Sequence, residues 1–457
     1  MQLPGQLIQS LEGINGFDKI AFEAIHQSTD RVTSIRLNPA KIAGPDELDF
    51  RLNVNTSPVP WSQWAWYLSE RPSFTFDPFF HAGAYYVQEA SSMFLEQAVK
   101  QLTHLSRPLR VLDLCAAPGG KSTHLQSLLS ADSLLVANET IRSRASILRD
   151  NIVKWSGANV VITNNDPKDF AKLEGYFDII VVDAPCSGSG LFRRDEEAID
   201  EWSLGNVALC SQRQQRILVD VWPALKKDGL LIYSTCSYSK EEDEDLLQWM
   251  ISGFKATPLQ LRIEDQLGIC EGGDSKIGFG YRFWPYNLNG EGFFMACLRK
   301  TDGAAEFLSK KKPRMTSPAK NIISIASAWL KNGDVELLLE NNVVYAIPAD
   351  FAEDISFLKS MLKVIYAGIC TGEIFHDKMV PAHALAMSRM VSENIQVISL
   401  DFDQAISFLK RKEPDLTIRA PGWYLVNFKG QHLGWIKALQ HRINNYYPKE
   451  LRILKDK

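Results

Sequence analysis

Between Arg110 and about Arg299 the chain alternates strand-like runs with segments of helical length, and no other feature constrains the fold as strongly. The runs read RVLDLCA, SLLVANE, NVVITNN, FDIIVVDAP, GLLIYSTCS and GFFMACLRK. Between them lie stretches such as KSTHLQSLLS and SQRQQRILVDVWPALKKDG, with the length and period of helices. Near-continuous apolar strands are buried on both faces, and strand–helix alternation implies a mostly parallel sheet covered on each side. The expected fold class is therefore α/β with a Rossmann-like core. Ligands of such sheets bind at the carboxyl ends of the strands.

The rest of the chain divides around that core. At 457 residues it is long for one domain, since domains run to roughly 100–200 residues. Short helical patterns and Pro-rich turns such as NTSPVPW fill the first hundred residues, predicting an N-terminal α+β extension over 1–95. The core is expected over 96–301. A polar stretch with a basic run and two prolines, TDGAAEFLSKKKPRMTSPAKN, reads as a linker over 302–320. An α/β-patterned segment over 321–400 and a β-rich segment over 401–457 complete the expectation. No apolar run approaches the ~20 residues that span a bilayer. The start, MQLPGQLIQSLEG, lacks the features of a signal peptide, so a cytoplasmic protein is expected, with no membrane partner.

The loop VLDLCAAPGGKSTHL (111–125) is a strand, a glycine turn and a helix start. Its GGKST suggests a phosphate loop, but GxxxxGK[ST] needs a glycine five positions before Gly120, where Cys115 stands. Pro118-Gly119-Gly120 instead lets the backbone pass close to a nucleoside cofactor. Nineteen residues after Gly120, the second strand ends in Glu139, the place where a carboxylate accepts ribose hydroxyls in doubly wound folds. The third strand ends near Asp166, a candidate partner for an adenine amino group. Without GxGxxG, this series favours S-adenosylmethionine over a dinucleotide.

Seven scattered cysteines make neither a disulfide framework nor a zinc motif, and no metal is expected. Cys210, Cys270, Cys297 and Cys370 read as small hydrophobic residues. Cys186 and Cys236 differ, because each follows an apolar strand: IIVVDAPCSGSG and LLIYSTCS. If the two strands are adjacent and parallel, both thiols lie over the cofactor mouth. No Cys–His pairing is apparent, so hydrolytic thiol chemistry lacks its base. Methylation of a pyrimidine at C5 does need a thiol: addition at C6 makes C5 nucleophilic, and a base must then remove the C5 proton. Cys186, Cys236 and Asp183 supply two thiols and a carboxylate for that sequence.

VLDLCAAPGGKSTHL, DAPCSGSGLFRRD and YSTCSYSKEEDE resemble motifs of the NOL1/NOP2/Sun family of RNA cytosine-5 methyltransferases. The resemblance implies Cys236 as nucleophile, Cys186 as the residue that assists product release, and S-adenosylmethionine as cofactor. It maps the cofactor loop to Cys115, Ala116, Ala117, Pro118, Gly119, Gly120 and Lys121, with Glu139, Asp166 and Asp183 as further cofactor or base contacts. TSIRLNP and FHAGAYYVQEASSMF are similar to the family's amino-terminal segments. YAGICTGEIFHDKMVPAHALAM and GWIKALQHRINNYYPKELRI resemble the tail of its bacterial RsmF type, a PUA-like RNA-binding module. That likeness implies 16S rRNA or the small ribosomal subunit as partner.

Charge adds a weaker indication. The chain carries −4 overall, but residues 419–457 hold 8 basic against 2 acidic side chains. Lys437, Arg442, Tyr447 and Lys449 in this tail, and Arg193 and Arg194 beside the Pro-Cys loop, are the expected RNA contacts. The alternative function is an rRNA-binding ribosome-assembly factor in which methylation is secondary.

Overall fold

The computed structural model describes residues 3–48, 55–304, 307, 316–413, 415–418 and 420–455; the basic run 310–314 of the expected linker lies outside them. The strands of the central sheet are β1 (Arg110–Asp113), β2 (Leu134–Asn138), β3 (Val160–Thr163), β4 (Phe177–Asp183), β5 (Leu225–Thr235), β6 (Ala256–Pro258), β7 (Cys270–Asp274), β8 (Gly278–Phe283), β9 (Phe293–Lys300) and β10 (Val364–Ala367). Their order is β7-β8-β9-β5-β4-β1-β2-β3-β10, with β6 paired to β9. The five strands from β3 to β5 are parallel, and β9 runs antiparallel beside β5. Helices α1 (Gly120–Leu128), α2 (Arg142–Trp155), α3 (Leu204–Val221) and α4 (Glu244–Gly253) follow β1, β2, β4 and β5.

The apolar runs produce this layering directly. Val111, Leu135, Val160, Ile179 and Ile232 belong to one buried cluster, while Leu112, Val136, Val161, Ile180 and Leu231 belong to another. Successive side chains of a strand point to opposite faces, so each parallel strand feeds both clusters. The order reverses between β1 and β4, which makes the crevice at their carboxyl ends the ligand site of a doubly wound sheet.

The N-terminal segment forms a separate antiparallel sheet from Thr33–Leu37, Thr56–Pro58, Ala65–Leu68 and Tyr85–Val87. Arg36, buried, fixes it to the back of α1. Its guanidinium donates to Thr123 Oγ1 at 2.6 Å, Gly120 O at 3.2 Å and Gln88 Oε1 at 2.9 Å, and lies over the Trp155 ring. Burial lowers its pKa to about 9, which leaves it charged at neutral pH.

The segment 321–400 is not a unit of its own. β10 pairs antiparallel with β3 and so belongs to the central sheet. Asp354 accepts from Tyr176 Oη at 2.8 Å and pairs with Arg110 at the start of β1. Another four-stranded sheet comprises Val335–Glu340, Val343–Pro348, Ile369–Phe375 and Lys378–Pro381. The boundary at 400/401 also moves, because Val397–Leu400 pairs in parallel with Gly422–Phe428 of the last sheet. Val397 is half exposed and only Leu400 is buried, so an edge strand of this kind carries little apolar signal. Gln431–Ala438 and Ile443–Asn445 complete that sheet. No helix among the described residues is long and apolar enough to cross a membrane.

Candidate active site

At the end of β1 the chain turns through Cys115–Gly120 into α1. Leu114 N–H bonds to Val181 O at 3.0 Å and Ala116 N–H to Asn138 O at 2.8 Å, so the loop is tied to strands on both sides. Arg144 donates to Ala117 O and Asn151 to Pro118 O, both at 2.8 Å. Gly119 has φ +114°, a conformation that residues with a side chain rarely adopt, which calls for glycine. Asp113 is fully buried and accepts from Ser122 Oγ at 2.6 Å. Burial raises its pKa to about 7, and its other oxygen has no hydrogen-bond partner.

Glu139 follows β2 and is buried. One oxygen accepts from Ile141 N–H at 2.9 Å; the other has Arg144 at 3.7 Å, beyond hydrogen-bond reach. Asp166, half-buried after β3, accepts from Lys168 N–H at 3.2 Å. A close-approach glycine turn with acidic groups at the next strand ends suits a cofactor carrying a ribose and an adenine. Cys115 to Lys121, Glu139 and Asp166 are the residues that would hold it.

The two thiols meet. β4 and β5 are adjacent and parallel, with Asp183 opposite Ser234. Three residues beyond Asp183 and two beyond Ser234, Cys186 Sγ and Cys236 Sγ lie 3.0 Å apart. The hydrogen bond between them, together with burial, pushes the Cys186 thiol well above its usual range. Asp183 accepts from Ser234 Oγ at 2.8 Å and pairs with Lys121 Nζ at 2.8 Å. Burial works against the Lys121 ammonium, but Asp183 outweighs it and holds the pKa above the usual lysine value. Lys121 also lies within electrostatic reach of Cys236. Sequence reasoning placed Lys121 in the cofactor loop and missed this pairing, which depends on α1 returning toward β4.

Gly190 N–H bonds to Cys236 O at 2.8 Å, joining the two thiol-bearing loops. Glu242 joins them as well, through Ser187 and Ser237. Neither serine nor Glu242 was singled out in the sequence. A carboxylate six residues beyond a thiol carries no signal until the turn before α4 folds it back.

Two expected RNA contacts are corrected. Arg193 has a side chain only 2% exposed, paired with Glu291 at 3.2 Å and donating to Asp30 O at 2.8 Å. It is an internal ion pair, unavailable to a phosphate. Tyr447 is buried in the core of the last sheet, with its hydroxyl 3.1 Å from His81 Nδ1; it cannot stack on a base. Arg194 shares Glu291 at 3.2 Å but remains partly exposed. Arg442 and Lys449 are exposed, and Lys437 lies over the Trp423 ring. These three stand apart from the thiols in the chain's last sheet and the turn after it.

Comparison with known proteins identifies the family. Residues 102–299 match a family model described as 16S rRNA methyltransferase RsmB/F. Residues 3–90 match the N-terminal domain of 16S rRNA methyltransferase RsmF, and 395–453 the methyltransferase RsmF PUA domain. A ribosomal RNA small subunit methyltransferase F from Aeromonas salmonicida is 30% identical over 437 residues, covering 92% of this chain and 90% of the relative. The chain belongs to this RsmF family of rRNA methyltransferases. It is a methyltransferase dependent on S-adenosylmethionine, with an RNA-binding PUA domain at residues 395–453. A solved methyltransferase homologue from Pyrococcus horikoshii is 27% identical with a TM-score of 0.52, covering 65% of this chain and 100% of its own. NSun6 from the same organism, solved with the S-adenosylmethionine analogue SFG, shares the fold at 19% identity and TM-score 0.54, covering 65% of this chain and 98% of its own.

Proposed function

We propose that the chain methylates C5 of a cytosine in 16S rRNA, with Cys236 as nucleophile, Cys186 as the group that releases the product, and the cytoplasm as its location. The observation that carries this reading is the 3.0 Å approach of the two thiols at the exits of adjacent parallel strands, beside Asp183. One thiol would serve attack; two in contact divide attack from release.

Cys236, as the thiolate, forms a bond to C6 of the cytosine, and the displaced electron pair makes C5 nucleophilic. Asp183, taking a proton from the Lys121 ammonium with which it pairs, would donate it toward N3 and so stabilise the negative charge that develops there; the proton returns to Lys121 when the ring is restored. S-adenosylmethionine, when bound, supplies the methyl group that C5 takes up. Cys186, once its own proton has passed to solvent, takes up the proton from C5; the C5–C6 double bond re-forms and the bond to Cys236 breaks, returning a thiolate. The target cytosine must be unpaired or flipped out of its stack to reach both thiols. Arg194, Lys437, Arg442 and Lys449 supply positive charge along the RNA path, aided by the N-terminal extension.

The test is trapping. Cys186→Ala protein, mixed with S-adenosylmethionine and either small ribosomal subunits or naked 16S rRNA, is expected to accumulate a protein–RNA adduct stable to denaturing electrophoresis. The Cys186→Ala/Cys236→Ala protein is expected to give none. Absence of an adduct, with wild-type protein also transferring no methyl group to either RNA, would overturn the reading and favour an rRNA-binding assembly factor.

A further inference from the structure

Each thiol is followed by a serine, and one buried carboxylate holds both serines. Glu242 has no exposed surface. One oxygen accepts from Ser187 N–H at 2.9 Å and from Gln214 Nε2 at 3.0 Å. The other accepts from Ser187 Oγ at 2.5 Å and Ser237 Oγ at 2.6 Å. Gln214, on α3, also donates to Pro185 O at 3.1 Å, the residue before Cys186. The Glu242 backbone is itself fixed, because its carbonyl accepts from Tyr233 Oη at 2.7 Å. Its neighbour Asp243 accepts from Thr235 Oγ1 at 2.6 Å, on the other flank of Cys236.

A buried carboxylate is costly unless donors satisfy it. Here four donors converge, and three of them belong to the residues that directly follow the thiols. Glu242 is sealed from the crevice and touches no reacting atom, so any effect it has on chemistry passes through Ser187 and Ser237. Active-site groups need to be held within about 0.5 Å of the productive geometry, and hydrogen bonds from two separate loops to one carboxylate achieve this without occupying the site.

We propose that Glu242 is a positioning residue that sets the separation of Cys186 and Cys236 by binding the residue after each. The proposal rests on the assignment of these thiols to attack and release. It accounts for a short contact between two loops that belong to different strands and meet only in the folded sheet.

The test compares full-length wild type with Glu242→Ala, Glu242→Gln, Ser187→Ala and Ser237→Ala. The first readout needs no RNA: the rate at which the oxidant diamide closes a Cys186–Cys236 disulfide, followed by alkylation and mass spectrometry. Closure is expected to slow by at least about tenfold in Glu242→Ala. Glu242→Gln, which keeps the shape but turns one acceptor into a donor, and the two serine variants are expected to fall between. The second readout is methyl transfer to small subunits or 16S rRNA. For Glu242→Ala, kcat is expected to fall about 100-fold, the usual cost of a ~1 Å misplacement, with KM for RNA and affinity for S-adenosylmethionine unchanged. Disulfide closure and kcat both within twofold of wild type, in a variant that still binds S-adenosylmethionine, would overturn the proposal. If Glu242→Ala does not fold, the serine variants decide the matter by the same criterion. Wild type that closes the disulfide but methylates no RNA would refute the functional reading alone, leaving the positioning role to the first readout.

Discussion

Gly190→Ala should cripple catalysis without disturbing cofactor binding, and the structure indicates by how much. A Cβ at this position would lie 2.5 Å from Gly292 O and 2.7 Å from Cys236 O, where ordinary contact begins at 3.4 Å. Both obstacles are backbone, so no flexible side chain can swing aside. The methyl group must displace one or both segments by roughly 0.7–0.9 Å, and the Cys236 carbonyl belongs to the residue proposed as nucleophile. The same shift lengthens the 2.8 Å bond from Gly190 N–H to Cys236 O, which joins the two loops. A misplacement near 1 Å costs about 100-fold in rate, equivalent to about 2.7 kcal/mol of barrier. Single-turnover methyl transfer to small subunits, with S-adenosylmethionine affinity measured by calorimetry, separates the two effects. A rate reduced by one to three orders of magnitude with unchanged affinity is expected. A variant within threefold of wild type would show that the loops relax freely and that thiol spacing is not limiting.

The tail and the inter-sheet contact give further tests. Tyr447→Phe, which loses only the hydroxyl bonded to His81, should lower stability by about 1 kcal/mol and leave RNA affinity unchanged, whereas Arg442→Ala and Lys449→Ala should each weaken RNA binding and flatten its salt dependence; an RNA-binding defect in Tyr447→Phe by gel shift would contradict its burial. Burial, reinforced by nearby lysines, holds His81 at about 4 and His383 at about 3. The unfolded chain protonates these rings near 6.5 while the folded one does not, so the stability they contribute is present above that pH and lost as pH falls toward 4. Thermal melting from pH 7.5 to 5 should therefore be less steep in His81→Gln/His383→Gln, and an unchanged slope would refute this; the comparison cancels contributions from groups such as Asp113, which titrate in the opposite sense.

What the sequence discloses follows from where the information resides. Cys186 and Cys236 are legible because strand alternation carries topology: parallel strands that exit together bring their next residues together. The glycine turn and the place of Glu139 at a strand end are legible because backbone constraints act over short spacings. Glu242 is not, since its role needs four donors from three elements, and a glutamate in KEEDE looks like solvated charge. Arg193 misleads for the same reason in reverse. Adjacent arginines beside the Pro-Cys loop suggest a phosphate site, but Glu291, almost one hundred residues away, takes the first of them into the interior. Val397–Leu400 and β10 escape detection because edge strands bury only part of their residues and depend on a partner distant in sequence.

β10 has a consequence for synthesis. A ribosome has made all the other strands of the central sheet by Lys300, yet the strand that closes the β3 side begins at Val364. Until then β3, an apolar strand, presents an open row of backbone hydrogen-bonding groups, the usual template for unwanted strand pairing. The nascent enzyme thus passes through an interval in which its cofactor site can be assembled while one side of its sheet is unguarded. Shielding of that side during translation is expected to raise the yield of folded protein.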